Sequence, residues 1–182
     1  FWFIASEVFF FLSFFGALFY IRTIALPWLG GEGYLGPTHE LLYNQFVAAW
    51  PSAGPGQVGG EFAPMGPWGL PAVNTLILLT SGATVTWAHW GLKENNQQKL
   101  VRGLAATIAL GLLFVGLQAW EYRHAYQELN LTLESGVYGS TFYMLTGFHG
   151  FHVTMGAVML MAILGRAMKG HFSPHNHFAF EA

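Results

Sequence analysis

A chain of 182 residues with 53% hydrophobic, 17% aromatic and only 9% charged side chains lies outside the composition of ordinary soluble domains. The net charge of −2 argues against a nucleic-acid partner, and the absence of cysteine excludes disulfides and thiolate metal sites without identifying a compartment. The mean hydropathy of +0.42 is moderate for a membrane protein, because one long polar-rich loop dilutes the apolar runs.

The first predicted span covers Phe1 to about Leu26. Phe1 stands inside an apolar run and HFAFEA closes the chain, so a fragment of a longer protein is expected. No basic stretch precedes the run and Glu7 interrupts it, which argues against a signal peptide. A carboxylate inside a transmembrane helix costs roughly 2.5–3.5 kcal/mol on insertion scales. Glu7, flanked by Phe, Val, Leu and Trp, is therefore expected to be buried and to act as a proton-active or lipid-contacting carboxyl. The alternative places it near an interface.

The connection 27–71 holds seven of the eight prolines and no Lys or Arg, the pattern of an extramembrane loop. Within it THELLYNQFVAAW offers Thr38 as an N-cap, with Leu42, Phe46 and Trp50 at four-residue spacing. A short interfacial helix is expected there.

The second span runs over about 72–92, with His89 at its end, and the third over 100–120. The short connection Lys93–Lys99 makes them an antiparallel pair. Glu121 and His124 form Glu-x-x-His, the spacing of di-iron carboxylate bundles, but the second such pair is missing. Interfacial hydrogen bonding near Arg123 is the better reading. The fourth span, 137–168, carries no charge from Val137 up to Arg166. Its glycines at 136, 139, 147, 150 and 156 predict close packing against protein along much of its length. His149 and His152 share a helix face and could ligate a metal. Lacking a nearby Glu or a second histidine pair, they are read as interhelical hydrogen-bond groups. The tail cluster His171, His175 and His177 is read as a solvated loop. No nucleophile triad or phosphate-binding loop is present, and no metal site or catalytic residue is expected.

Lys93, Lys99, Arg102, Arg166 and Lys169 border one side of the spans, and Arg22 and Arg123 the other. That asymmetry puts 93–102 and the C-terminal tail on the cytoplasmic side and 27–71 outside.

Five stretches carry a family resemblance: FIASEVFFFLSFFGALFY (3–20), LPAVNTLILLTSGATVTWAHW (70–90), LGLLFVGLQAWEY (110–122), GVYGSTFYMLTGFHGFHVTMGA (136–157) and HFSPHNHFAFEA (171–182). Together they closely resemble subunit III of the heme–copper cytochrome c oxidases, in family order and over well over half the chain. Trp90 stands where the family often has a second His, WEYR where it often has SEYY, and the outward loop is longer than usual.

The resemblance implies an all-α polytopic transmembrane bundle, a seven-helix subunit divided by a lipid-filled cleft. The four spans here, taken as one transmembrane domain (1–182), look like helices three to six. It also implies a multi-pass protein of the bacterial or mitochondrial inner membrane that belongs to the aerobic respiratory chain. Such a subunit binds no heme or copper itself, packs with oxidase subunits I and II, holds structural phospholipids and sustains proton uptake and turnover. Glu7 matches the family's glutamate in the SEV string and Arg166 its arginine at the cytoplasmic end. Lys169, Glu7 and Trp2 join Arg166 as expected lipid contacts, while His89, Glu121, His149 and His152 are expected to be structural polar groups in the membrane. The alternatives are subunit III of a quinol oxidase, or a stand-alone proton or ion carrier centred on Glu7.

Overall fold

The computed structural model describes residues 1–57, 59–170 and 172, which form helices and loops with no strand among them. Four helical segments are long and apolar enough to cross a membrane: Trp2–Leu29, Leu70–Lys93, Gln97–Glu128 and Gly136–Met168. Each runs further than its apolar core. The third extends past the expected 100–120 at both ends because its polar termini are good helix formers outside the hydrocarbon. At ~1.5 Å per residue all four exceed the ~30 Å hydrocarbon core.

The first rod joins α1 (Trp2–Tyr20), a π-helical turn (Ile21–Ala25) and α2 (Leu26–Leu29). The wide turn sits just before Pro27, whose ring lacks an N–H and crowds the carbonyl one turn back. The hydroxyls of Ser6, Ser13 and Thr23 donate to the carbonyls of Phe3, Phe9 and Phe19 at 2.7, 2.9 and 2.7 Å. An apolar helix thus carries these polar side chains without exposing a bare donor to lipid.

After a 3₁₀ turn (Gly33–Leu35) comes α3 (Gly36–Leu42), which corrects the helix expected from Thr38 to Trp50. Pro37 fits the first turn of a helix, so α3 begins before Thr38, which lies inside it. Beyond Leu42 tertiary contacts take the chain elsewhere. Trp50 meets the Tyr138 ring at 5.5 Å and the Arg22 guanidinium at 5.8 Å instead of continuing an amphipathic face.

The chain divides into two compact units, the first comprising Phe1–Met65 and His124–Phe148. Here the proline-rich loop is ordered by hydrogen bonds to its backbone. Tyr138 N donates to Ser52 O (3.1 Å), Ala63 N to Leu129 O (3.0 Å), and Asn130 Nδ2 to Glu61 O (2.9 Å). Phe62 stacks on Tyr138 at 5.3 Å. Buried Tyr143 donates its hydroxyl to Leu131 O at 2.6 Å, and Ser135 Oγ accepts from Thr132 N at 2.9 Å just before α6 (Gly136–Met168).

The second unit, Gly66–Arg123 with His149–Ala182, contains α4 (Leu70–Lys93), most of α5 (Gln97–Glu128) and the last part of α6. The α4–α5 turn is closed by Asn96 N donating to Gly91 O (2.8 Å), while Asn96 Oδ1 accepts from Lys99 N (3.0 Å) as the cap of α5. Ala88, Leu92, Leu100, Leu104 and Ala167 form the buried core, with Leu160, Ile163 and Leu164 against it. Lipid is as apolar as leucine, so association here rests on close packing and interhelical hydrogen bonds. Small residues supply the first: a Cβ on Gly103 would lie 2.7 Å from Ala88 Cβ, and one on Gly91 2.9 Å from Leu100 N. The hydroxyls of Thr84 and Thr107 supply the second at 2.8 Å.

The glycines expected to pack α6 along its length act differently. Gly136, with φ +64°, sits against Ala53 O, and Gly139 against Thr132 O, so both admit loop backbone and not another helix. Gly150 and Gly156 meet no atom of the described residues within 4 Å of a built Cβ. Close helix approach lies instead at Gly91 and Gly103.

Gly103→Ala is expected to lower the thermal midpoint of the purified protein, by overpacking worth about 1–3 kcal/mol, although alanine is the better helix former. Gly82→Ala, where a Cβ meets nothing within 4 Å, is expected to leave the midpoint unchanged or raised. Parallel melting curves check this, and equal midpoints for the two variants would contradict the packing account.

Candidate functional site

No residue of α1 is fully buried, but its partly covered positions include Glu7, Phe10, Phe11, Phe14 and Leu18. That spacing of three, four and seven is one face of a helix. In the first unit the face meets α6 through Phe148, whose ring lies 5.0 Å from Phe10 and 5.6 Å from Phe14. Glu7 is half-buried on this aromatic stripe, and Trp2, 84% exposed, stands near the start of the same helix. The arrangement presents a carboxyl on the side of α1 that faces protein, in surroundings dominated by rings.

The second unit buries its polar groups along α4 and α5. Asn74, Ser81 and Ala88, at intervals of seven, are buried on one side of α4. Ser81 Oγ reaches Thr107 O at 3.5 Å, and Thr107 Oγ1 donates to Gly103 O at 2.8 Å. His89 is half-buried on α4, and Glu121 is buried on α5. His149 packs edge-on against Phe114 at 5.8 Å, and His152 is half-buried with Phe151 at 5.9 Å.

The Glu-x-x-His pair does not work as a unit. Glu121 is buried, whereas exposed His124 places Nδ1 3.1 Å from Glu128 Oε2, one turn further along α5. The i,i+4 relation to Glu128 was available in the sequence and is the better signal. Among the described residues no three His, Asp or Glu side chains gather closely enough to hold a metal ion. His171, His175 and His177 lie outside the described residues.

A third cluster forms where the α4–α5 turn meets the end of α6. Gln97 Nε2 donates to Ala167 O at 3.0 Å, which ties the two elements. Lys99 Nζ binds Glu94 Oε2 at 2.8 Å and lies 5.9 Å from the Trp87 ring. Arg166 is exposed, its guanidinium 5.1 Å from the Phe172 ring, and Lys169 is exposed one turn on. Nearby opens a cleft of about 280 Å³ lined by Asn95, Asn96, Gln97 and Phe172. Four of the five residues on which the expected orientation rests lie near it along the chain, Lys93 and Lys99 flanking the α4–α5 turn and Arg166 and Lys169 at the end of α6. The chemistry this cluster offers is two exposed cationic side chains, Arg166 and Lys169, at the end of α6, with a polar cleft nearby.

Sequence reasoning missed Asn74 and Gln97. The seven-residue interval from Asn74 to Ser81 and Ala88 marks a seam and was the signal for the first. Gln97 gave none, because its partner is a backbone carbonyl 70 residues away.

Comparison with known proteins gives a consistent result. The family described as "Cytochrome c oxidase subunit III" matches residues 1–182. Cytochrome c oxidase subunit 3 of Branchiostoma lanceolatum is 43% identical over 180 residues, 99% of this chain and 58% of that protein. The corresponding proteins of Ornithorhynchus anatinus and Marchantia polymorpha are 42% and 43% identical, again over 99% of this chain. The chain spans about 58% of the length of these relatives.

With this orientation, an impermeant thiol reagent applied to sealed right-side-out vesicles should label Glu40→Cys and spare Gln98→Cys; both positions are exposed and the chain has no native cysteine. Labelling of Gln98→Cys alone would invert the topology.

Proposed function

The chain belongs to the cytochrome c oxidase subunit III family, and from that premise we propose that it is a non-catalytic core subunit of a proton-pumping heme–copper oxidase in aerobic respiration. The observation that carries the reading is the match along all of residues 1–182, with each apolar run of the family pattern realised as a long helix. Its partners are oxidase subunits I and II and the phospholipids of a bacterial or mitochondrial inner membrane. The hemes and copper belong to those partners, and this chain contributes packing, lipid and proton-related groups.

Two sites take the supporting roles. At the basic junction Arg166 pairs with a lipid phosphate, a contact that its planar guanidinium makes in bidentate fashion. Its position over Phe172 supports this by holding the head group at the helix end, with Lys169 adding charge. Trp2 suits an interfacial contact with the same lipids, its large exposed indole having an apolar body and one polar edge. Glu7 assists proton uptake by the neighbouring catalytic subunit. Its place on the protein-facing stripe of α1, and not among the fully exposed phenylalanines, supports that role.

A tagged chain purified from native membranes should bring hemes and copper with its partners. Recovery of the chain alone and colourless from gentle detergent would favour a stand-alone carrier. In the purified complex, Arg166→Ala should reduce retained phospholipid in native mass spectrometry and hasten inactivation during turnover, with the initial rate preserved. Unchanged lipid and unchanged inactivation would leave Arg166 a topology anchor. Glu7→Gln should fold and lower steady-state oxygen consumption only modestly. Abolition of oxygen reduction would make Glu7 an essential proton relay.

A further inference from the structure

We propose that the exposed face of α1 binds a phospholipid of the leaflet nearer the 27–71 loop, with the lipid phosphate on Arg22. Arg22 is exposed and is the only Lys or Arg in the first unit. Among the described residues its guanidinium meets the Trp50 ring, at 5.8 Å, and no carboxylate. Exposed Glu32, Glu40 and Glu61 belong to the same unit and leave it unpaired.

The surface leading to this cation is apolar. Val8, Leu12, Phe15, Phe19 and Arg22 follow one another at steps of four, three, four and three, so they share one side of the helix. All five are exposed. This is not the side that carries Phe10 and Phe14 to Phe148. At ~1.5 Å per residue Leu12 lies about 15 Å along the axis from Arg22, half of the ~30 Å hydrocarbon core. One leaflet's depth of apolar surface therefore ends at a single cation.

Trp50 orients that cation. Its own ring is held against Tyr138 at 5.5 Å, where Tyr138 N also donates to Ser52 O. A guanidinium with an indole over its face keeps its N–H edge free, and that edge matches a phosphate in bidentate fashion. The occupant must be apolar along the helix and anionic at headgroup depth, and a phospholipid has that form. A free anion leaves the stripe unused, and a neighbouring helix would have to bring a carboxylate to the same depth. Arg166 lies in the second unit, so this contact is separate from the one proposed there, and it does not depend on the oxidase reading.

The test is a cryo-EM map of the intact complex in nanodiscs of phosphatidylethanolamine and phosphatidylglycerol, at a resolution that shows lipids, for the native protein and for Arg22→Gln. A phosphate peak within about 3 Å of a guanidinium nitrogen, continuous with acyl density along Phe19 and Phe15, is expected in the native map and lost in Arg22→Gln. Native mass spectrometry should find one phospholipid fewer on Arg22→Gln, both alone and on top of Arg166→Ala. A partner's carboxylate on Arg22, a polypeptide covering the stripe, or lipid density unchanged in Arg22→Gln would overturn the proposal. Should Arg22→Gln fail to assemble, the native map decides by the same criterion.

Discussion

The second unit depends on how closely α5 can approach α4 at Ala88. In a bilayer no water is released when two apolar helices meet, so a helix pair is held by contact distance and by the hydrogen bonds that distance permits. A hydrogen in place of a side chain at Gly103 lets the two backbones close, because any Cβ there would fall 2.7 Å from that of Ala88. One turn deeper into the seam, Thr84 and Thr107 then come within 2.8 Å. At the turn, Gly91 lets the chain double back against Leu100, and Gln97 reaches the carbonyl of Ala167. A looser pair would lose the hydroxyl contact, and the basic junction beside Arg166 would lose its geometry.

The first unit is built on different terms. Its helices carry ordinary large side chains, and what fixes the long loop is hydrogen bonding of its backbone to the α5–α6 connection and the start of α6. Strands of hydrogen bonds from Ser52, Glu61 and Ala63 to residues 129–138 hold a proline-rich segment that could not form a helix or sheet of its own. Gly136 and Gly139 make room for that backbone. The α6 glycines thus serve a loop at one end of the helix, while lower down Gly150 and Gly156 leave its surface open.

Much of this was legible in the sequence, for physical reasons that differ by element. Spans announce themselves, since about 20 apolar residues have few other uses. The turn between the second and third spans was equally plain. The helix expected at 38–50 continues only to Leu42, because amphipathic spacing of Leu42, Phe46 and Trp50 is local information, and Trp50 is committed to Tyr138 and Arg22, far away in sequence. Glu121 and His124 show the same limit: helical spacing said that they could meet, and packing turned one inward and the other to Glu128. The family was readable from strings such as GVYGSTF and TWAH, not from periodicity or charge. The basic junction was half visible, as a charge asymmetry, while the tie of Gln97 to Ala167 that joins the α4–α5 turn to α6 is visible only in the fold.

The register of α4 on α5 is directly measurable, because the chain has no native cysteine. A double variant, Thr84→Cys with Thr107→Cys, should form an intramolecular disulfide under mild oxidation in native membranes, because the two hydroxyls it replaces lie 2.8 Å apart. Thr84→Cys paired with Ala109→Cys, exposed on another face of α5, should not. Equal cross-linking of both pairs, or of the second pair alone, would contradict the account.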